Sequence, residues 1–293
     1  MMTTPTAAAT PAAATTTARR AVFLDVDGTI MQDGRYIPPS AVEAIREARA
    51  RGHLVFLSTG RGMAELQGEL MQIGFDGAVS NGGAFAAIGD EIVAGTLFSP
   101  ADVARLERYL EDTGIHGYFQ SFDQMFATEA LPALLAAKVD GTGIPMKVFH
   151  DPADFDPAQM AKLVFVTEDQ DAAARALTDL GTDFAVVSGT IPLPGWASGE
   201  VAPAGVHKGA AIRAILDHLG MDAADAIGIG DNWNDAEMFE VCGTSVAMGN
   251  AAPGIQALAD RVTTAIDDDG ILNAFVALGL ASGPRRRAGE WMT

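Results

Sequence analysis

The chain has 293 residues, of which 48% are hydrophobic, and its 38 acidic against 19 basic residues give a formal net charge of −19 at pH 7. This length predicts about two domains with sizeable cores. No apolar run reaches the roughly 18 residues that span a bilayer. The excess of acidic residues argues against nucleic acid or an anionic membrane as a partner. The single cysteine, Cys242, excludes an intrachain disulfide and predicts a protein of the reducing cytoplasm.

Both ends of the chain are predicted to be tails. Residues 1–18 contain only Met, Thr, Pro and Ala, which offer almost nothing to bury, so we interpret residues 1–19 as disordered. This segment lacks the basic and continuous apolar regions of a signal peptide. Residues 282–293, which include three consecutive arginines, are predicted to be a mobile C-terminal tail.

Strands and helices alternate after the first tail. Short apolar runs predict buried strands at residues 21–24, 53–57 and 78–80. A capping box at Ser40 and Glu43 begins the first predicted helix, and apolar residues at helical spacing predict a second helix over residues 63–73. This order predicts a parallel sheet with helices on both faces.

The pattern changes over residues 84–199. A hairpin is predicted from runs at residues 84–88 and 91–98, followed by an amphipathic helix over residues 100–110. Further short strands are predicted at residues 116–119, 124–128, 146–150, 162–166 and 184–187, with helices near residues 131–139 and 171–180. We interpret residues 84–199 as an α+β domain inserted into the first domain.

The parallel sheet resumes at Lys208 with a helix, and further strands are predicted at residues 226–230, 244–248 and, at the edge, 261–264. Residues 20–83 and 200–281 then form one discontinuous core. The predicted fold class is therefore α/β, a Rossmann-like doubly wound parallel sheet carrying the inserted α+β domain. No internal repeat is evident, and the oligomeric state stays open.

Polar side chains gather where the predicted strands end. Asp25 and Asp27 point to the same side of an extended backbone, where two carboxylates repel each other unless a cation lies between them or one holds a proton. A helix cap and a turn aspartate are the alternative interpretation of this pair. Lys208 stands at the start of a helix in the same half of the chain, and the other strand ends add Ser58, Thr59, Asn81, Asp231, Asn234 and Asp235.

This set indicates phosphoryl transfer assisted by Mg²⁺. In an open parallel sheet, ligands bind beyond the carboxyl ends of the strands, so these residues are expected to converge. Carboxylates suit Mg²⁺, which offsets the charge of a transferring phosphoryl group, and no His or Cys nucleophile accompanies them.

The motifs resemble those of the haloacid dehalogenase (HAD) superfamily. They are Asp25-Val-Asp27-Gly-Thr, Ser58-Thr59-Gly-Arg, Lys208-Gly and Gly230-Asp231-x-x-Asn234-Asp235. Asn81-Gly-Gly, Ala247-Met-Gly-Asn-Ala and Asp269-Gly270 are similar to the Cof-type phosphatases with a type IIB cap, the inserted domain of that class. Two departures are small: Ser58 stands where Ala is commoner, and His207 stands where Ser is common.

The resemblance implies a role for each matching residue. Asp25 would be the nucleophile that forms an aspartyl-phosphate, and Asp27 the general acid and base. Asp25, the backbone carbonyl of Asp27, Asp231 and, more indirectly, Asp235 would hold Mg²⁺. The remaining implied contacts, to the phosphate, the substrate or the nucleophile, come from Val26, Thr59, Gly60, Asn81, Lys208 and Asn234.

The predicted function is a cytoplasmic Mg²⁺-dependent phosphatase of small phosphorylated metabolites, such as sugar phosphates or phosphorylated cofactors. Two alternatives stay open: a phosphomutase of the phosphomannomutase type, and a non-catalytic metabolite-binding protein on the same scaffold. A mutase needs several cationic cap residues to rebind a bisphosphate, and residues 84–199 contain few. Arg61 is interpreted either as part of a salt bridge at a helix N-terminus or as a phosphate ligand. The substrate, and any role of His207 or Trp233, are not determined by the sequence.

Overall fold

The structure, a computed structural model, describes residues 18–138, 149–189 and 195–283. Most of the two predicted tails, and residues 146–148 of the strand predicted over residues 146–150, lie outside these ranges. Within them, none of the helices combines the length and the apolar character that a membrane span requires.

The first part of the chain builds one half of a large sheet. Its elements are β1 (Ala21–Leu24), α1 (Pro39–Ala50), β2 (Leu54–Ser58), α2 (Glu69–Gln72), β3 (Gly77–Ser80), β4 (Phe85–Ile88) and β5 (Glu91–Gly95). The capping box predicted at Ser40 is wrong, because α1 begins with Pro39 and no side chain caps it.

The helix predicted over residues 63–73 is broken. A 3-10 turn at Met63–Glu65 precedes α2, and Gly68 between them has a left-handed φ of 66°. A hydrogen bond to the cap stabilises this turn, since Met63 N donates to Phe122 O at 3.1 Å. The apolar residues at helical spacing, Leu66, Leu70 and Ile73, are nevertheless buried as their spacing suggested.

The described residues in the middle of the chain form a second sheet, of five strands in the order β7-β6-β8-β10-β9. The strand pairs in it are antiparallel. Its elements are α3 (Pro100–Thr113), β6 (His116–Gln120), β7 (Met125–Ala127), α4 (Leu131–Lys138), β8 (Lys162–Thr167), α5 (Gln170–Leu180), β9 (Phe184–Ser188) and β10 (Ala197–Pro203). We refer to these elements as the cap. Strand β10 was not predicted, since its sequence is rich in small and polar residues.

The chain then returns to the large sheet. The elements are α6 (Lys208–Leu219), β11 (Ala226–Gly230), α7 (Ala236–Val241), β12 (Thr244–Ala247), α8 (Pro253–Gln256), β13 (Arg261–Val262) and α9 (Gly270–Ala277). The eight strands follow the order β13-β12-β11-β1-β2-β3-β4-β5, with β13 at one edge as predicted.

The hairpin of β4 and β5 corrects one predicted boundary. It was assigned to the inserted domain, but β4 pairs antiparallel with β3 and extends the large sheet. The physical reason is packing: Ala86 of the hairpin joins the same buried cluster as Phe56 of β2. The cap sheet begins only with β6.

Alternate residues of β1 and β2 point into two separate cores, which makes the large sheet doubly wound. Val22 and Leu24 belong to a cluster shared with α1 and α9, whereas Phe23 and Phe56 belong to a cluster shared with α6 and α7. The two phenylalanine rings stack with centroids 5.1 Å apart. The sheet therefore carries helices on both faces, and the ends of its central parallel strands remain free for chemistry.

Candidate active site

Three carboxylates converge at the carboxyl ends of β1 and β11. The two strands are parallel neighbours, with Leu24 paired to Ile229, so the residues that follow each strand emerge side by side. Asp25 comes directly after β1, Asp231 directly after β11, and Asp235 from the turn that follows. One side-chain oxygen from each of the three residues lies within 4.8 Å of the other two.

Lys208 binds two of these carboxylates. Its ammonium lies 2.6 Å from Asp25 Oδ1 and 2.6 Å from Asp235 Oδ1, and only 1% of the residue is exposed. Lys208 is the first residue of α6, whose N-terminus is capped by His207 through an acceptor Nδ1, 3.3 Å from Ala210 N. His207 therefore has a capping role that fixes the start of the helix.

Hydrogen bonds also orient the other carboxylates. Asp235 Oδ2 accepts from Asp231 N at 3.0 Å and from Asn232 N at 3.1 Å, which ties the turn to its own aspartate. The Thr29 hydroxyl donates to Asp231 Oδ1 at 3.0 Å. Gly28 has a φ of 89°, and a Cβ there would overlap the Asp231 carboxylate. The glycine of the first motif is required by this close approach.

Burial and mutual repulsion shift the acidity of the cluster. Burial raises the pKa of Asp25 well above its usual value; Lys208 opposes the shift, while Asp235 and Asp231 add to it. Burial and the Asp235 charge raise the pKa of Asp231 to about 6. Burial alone would lower the pKa of Lys208, but the charges of Asp235 and Asp25 outweigh it and raise that pKa.

The cluster fits a divalent cation. Three carboxylates face one ammonium, so negative charge is in excess at a buried position. Carboxylate oxygens are hard ligands of the kind that Mg²⁺ prefers, and a bound cation would relieve the repulsion that raises the pKa values of Asp25 and Asp231.

The Asp27 side chain lies apart from the three-carboxylate cluster. Its two oxygens accept from Arg61 Nε at 2.8 Å and from Arg61 Nη2 at 2.6 Å, a bidentate ion pair. The Asp27 side chain is 49% exposed and that of Arg61 24%. The sequence left two interpretations of Arg61 open, a salt bridge and a phosphate ligand. In the structure Arg61 forms a salt bridge, and its partner is Asp27, the predicted acid-base residue.

Thr59 and Gly60 follow β2 at the same edge of the sheet. Thr59 N donates to Val79 O at 2.9 Å, and Thr59 Oγ1 accepts from Arg61 N at 3.1 Å. Thr59 is 1% exposed, so this hydrogen bond fixes the direction of a buried hydroxyl. Val26 is buried, and its carbonyl accepts three turn amides after β1, from Thr29, Ile30 and Met31.

Asn81 connects the core to the cap. It is fully buried and has a left-handed φ of 52°; its Nδ2 lies 3.2 Å from Gln120 Oε1 and 3.0 Å from Ser121 O. Asn81 N also donates to Arg61 O at 2.8 Å. Its side-chain amide is thus engaged by the cap. In contrast, Asn234 is exposed on its turn, and Trp233 is 62% exposed with its ring over Gly254.

Several residues that support the site were missed. Asn250 Nδ2 donates to Gly28 O at 2.9 Å and Asn250 Oδ1 accepts from Ile266 N at 3.0 Å, so it holds the first motif against the loop after β13. The motif Ala247-Met-Gly-Asn-Ala was a signal for this residue. A second missed group is Glu65, Gln120, Lys162 and Glu200. The sequence carries no signal for this group, because its members are single polar residues in four separate segments.

Comparisons with known proteins show which family this chain resembles. The sequence profile of a family described as haloacid dehalogenase-like hydrolase matches residues 22–275. Over 264 residues the chain is 29% identical to YkrA of Bacillus subtilis (strain 168), with 88% of this chain and 97% of YkrA covered. It is 30% identical over 248 residues to the HMP-PP phosphatase of Escherichia coli O157:H7, with 82% and 87% covered.

The solved structures include a HAD subclass IIB sugar phosphatase. Its TM-score is 0.76 at 24% sequence identity, and the match covers 89% of this chain and all of that one. At this identity the likeness concerns the fold alone, and it agrees with a doubly wound core that carries an inserted α+β cap.

Proposed function

This chain belongs to the haloacid dehalogenase-like hydrolases and is a phosphatase of that family, and we propose that it removes phosphate from a small metabolite by Mg²⁺-dependent transfer to Asp25. The observation that carries the proposal is the Lys208 ammonium, which lies 2.6 Å from both Asp25 and Asp235. A carboxylate can attack a phosphate dianion only if nearby cations cancel the repulsion.

The residues divide the reaction between them. Asp25, Asp231 and Asp235 would hold Mg²⁺, and the Asp27 backbone carbonyl stays a predicted further ligand. The ion would supply charge neutralisation for the transferring phosphoryl group. A carboxylate oxygen of Asp25 forms a bond to phosphorus as the bond to the ester oxygen breaks, which leaves an aspartyl-phosphate.

Asp27 moves the protons. It gives a proton to the departing ester oxygen, then takes one from the water that attacks phosphorus, which releases inorganic phosphate and regenerates Asp25. Its position supports this role. Asp27 lies two residues after Asp25 in the sequence, and the Asp27 carboxylate is exposed whereas that of Asp25 is buried. The bidentate ion pair with Arg61 holds the Asp27 carboxylate in one orientation.

Thr59, Gly60 and Lys208 are proposed to bind the phosphoryl oxygens. Thr59 Oγ1 already accepts a hydrogen bond from Arg61 N, so its own proton is free to donate to an oxygen of the substrate. Asn234 and Val26 stay proposed contacts to the phosphate or the nucleophile, and Asn81 a proposed substrate contact.

We propose sugar phosphates and phosphorylated cofactors as the substrate class. The names of the similar proteins, an HMP-PP phosphatase and a sugar phosphatase, support this class. The single cysteine supports a reducing compartment, and we propose the cytoplasm.

The test is phosphate release from a panel of phosphomonoesters, with Mg²⁺ and with EDTA, by wild type and by Asp25→Asn. We expect turnover that requires Mg²⁺ and is lost in the variant, because Asn cannot form the acyl phosphate. Turnover that survives EDTA, or survives Asp25→Asn, would refute the proposed mechanism.

Cap charges do not favour the mutase alternative. Among the cap cations that the structure describes, Lys162 is buried in an ion pair with Glu200 and Arg105 is paired with Asp183 on the surface. A bisphosphate would need such cations to be free. Phosphorus NMR of the products separates the two activities, since a mutase yields an isomerised ester and a phosphatase yields free phosphate.

A further inference from the structure

A buried lysine of the cap reaches into the phosphate-binding loop of the core. Lys162, the first residue of β8, is 2% exposed, and its Nζ lies 2.6 Å from Gly60 O and 2.6 Å from Glu200 Oε2. Gly60 belongs to the loop after β2, 102 residues away in sequence. An ammonium is costly to bury, and a buried ion pair adds little stability compared with apolar side chains.

The contact acts on a peptide group that also holds Thr59. The carbonyl of Gly60 and the amide of Arg61 belong to one planar peptide group, so the direction of one determines the direction of the other. Lys162 donates to the carbonyl, and the amide donates to Thr59 Oγ1 at 3.1 Å. Because hydrogen bonds in series polarise one another, the ammonium also makes that amide a stronger donor.

Other cap contacts hold the same loop in place. Glu65 Oε2 accepts from Gly62 N at 2.8 Å and from Gln120 Nε2 at 2.7 Å. Gln120 is the neighbour of Lys162 in the cap sheet. Two adjacent cap strands therefore hold the loop. Lys162 of β8 contacts it directly at Gly60, and Gln120 of β6 contacts it through the Glu65 carboxylate.

We propose that Lys162 is a positioning residue for the Thr59 hydroxyl. By fixing the peptide group between Gly60 and Arg61, it keeps an amide on one side of Thr59 Oγ1 and leaves the hydroxyl proton to face the phosphoryl oxygens. The phosphate-binding loop is then complete only when the cap strand β8 is in place. This inference rests on the proposed phosphatase function for its kinetic consequence.

The kinetic test is a double-mutant cycle with p-nitrophenyl phosphate as substrate and inorganic phosphate as inhibitor. We expect Lys162→Met to lower kcat/KM about tenfold and to weaken inhibition by phosphate, a smaller loss than the roughly hundredfold or greater loss typical of a missing direct donor. Thr59→Val should cause that larger loss. The double variant should be no worse than Thr59→Val, because Lys162 acts through the missing hydroxyl.

Arg105→Met is the matched control. It replaces another cap cation that is paired with a carboxylate, but its pair with Asp183 lies on the cap surface. We expect its kcat/KM to equal that of wild type. If the losses of Lys162→Met and Thr59→Val multiply in the double variant, Lys162 does not act through Thr59 and the inference is overturned.

Amide hydrogen exchange at Arg61 tests the inference without turnover. We expect faster exchange in Lys162→Met than in wild type or Arg105→Met; equal exchange would overturn the inference. If Lys162→Met does not fold, Lys162→Met/Glu200→Gln removes the carboxylate left without its partner and takes its place. Absence of Mg²⁺-dependent turnover in wild type would refute the proposed function, while the exchange result would still decide the positioning role.

Discussion

The Lys208 ammonium lies 2.6 Å from the Asp25 carboxylate although 183 residues separate them in sequence. The same nitrogen is 2.6 Å from Asp235 Oδ1, so one buried cation serves two buried carboxylates. Removal of the cation would leave both carboxylates uncompensated, which is far more costly than the loss of an exposed ion pair.

Lys208→Met should therefore destabilise the protein as well as inactivate it. In EDTA we expect the free energy of unfolding to fall by about 3–5 kcal/mol, the usual cost of removing one partner from a buried pair. Urea denaturation measures it. Lys208→Met/Asp25→Asn should recover part of the loss, because one orphaned charge is gone. Equal stability of Lys208→Met and wild type would contradict this account of the cluster.

Asp27→Asn tests the proposed proton-transfer role of Asp27. A p-nitrophenolate leaving group needs little protonation, whereas an alkoxide needs a proton to depart. We expect Asp27→Asn to release a burst of p-nitrophenol of about one equivalent and then stall, because water is no longer activated. With an alkyl phosphate the first step itself should fail. Rapid-quench kinetics on both esters decide, and equal losses on both would argue against the acid role.

Metal-free protein should lose stability as the pH rises from about 4 to about 6. The pKa of Asp231 is raised to about 6 in the folded state, above its unfolded value of about 3.9, so the folded protein binds the extra proton within this window. The stability that this proton contributes is present at low pH and disappears as Asp231 of the folded protein loses the proton. Urea unfolding in EDTA should show this fall in wild type relative to Asp231→Asn; parallel pH profiles would contradict it.

Mg²⁺ should restore that stability near neutral pH. A ligand that binds only the folded protein stabilises it by about 2.7 kcal/mol at a hundred times its dissociation constant. We expect the Tm of wild type to rise with added Mg²⁺ and that of Asp231→Asn to rise less, because one of three carboxylates is missing. Thermal melts with and without the ion provide the measurement, and identical shifts would place the ion elsewhere.

Gly28→Ala should cost more than Gly52→Ala. Both glycines have a φ near 90°, so backbone strain should lower the free energy of unfolding of both variants by about 1 kcal/mol. At Gly52 nothing lies within 4 Å of an added Cβ, whereas at Gly28 the Cβ would overlap the Asp231 carboxylate. Gly52→Ala should keep full activity, and Gly28→Ala should lose Mg²⁺-dependent stabilisation together with turnover. Similar behaviour of the two variants would show that the close approach to Asp231 is unimportant.

Cys242 should be inert in the folded protein. Burial raises the pKa of its thiol from 9.0 to about 12, which lowers the thiolate fraction at pH 8 about a thousandfold. A thiol reagent such as dithionitrobenzoate should react slowly with the native chain and at once in urea. Fast labelling of native protein would mean that the segment around Cys242, which follows α7 and lies against Gly228 of β11, opens readily.

Much of the fold follows from local patterns in the chain. Short apolar runs predict β1 and β2, and apolar residues at helical spacing predict α3 and α6, with bounds close to those observed. Both signals are local properties of the sequence. The predicted convergence of Asp25, Asp231, Asp235 and Lys208 rests on a second rule, that parallel strands bring their carboxyl ends to one edge.

The partner of each side chain was decided by tertiary packing alone. The pairing of Arg61 with Asp27, the hairpin of β4 and β5 at the edge of the large sheet, and the reach of Lys162 to Gly60 leave no local signature. Arg61 and Asp27 are 34 residues apart in sequence, and Lys162 and Gly60 are 102 residues apart. The geometry of these contacts depends on how separate elements pack against each other. The amino-acid sequence by itself determined which groups could perform the chemistry, while the folded chain determined which of them touch, because direction and distance arise only when the elements pack.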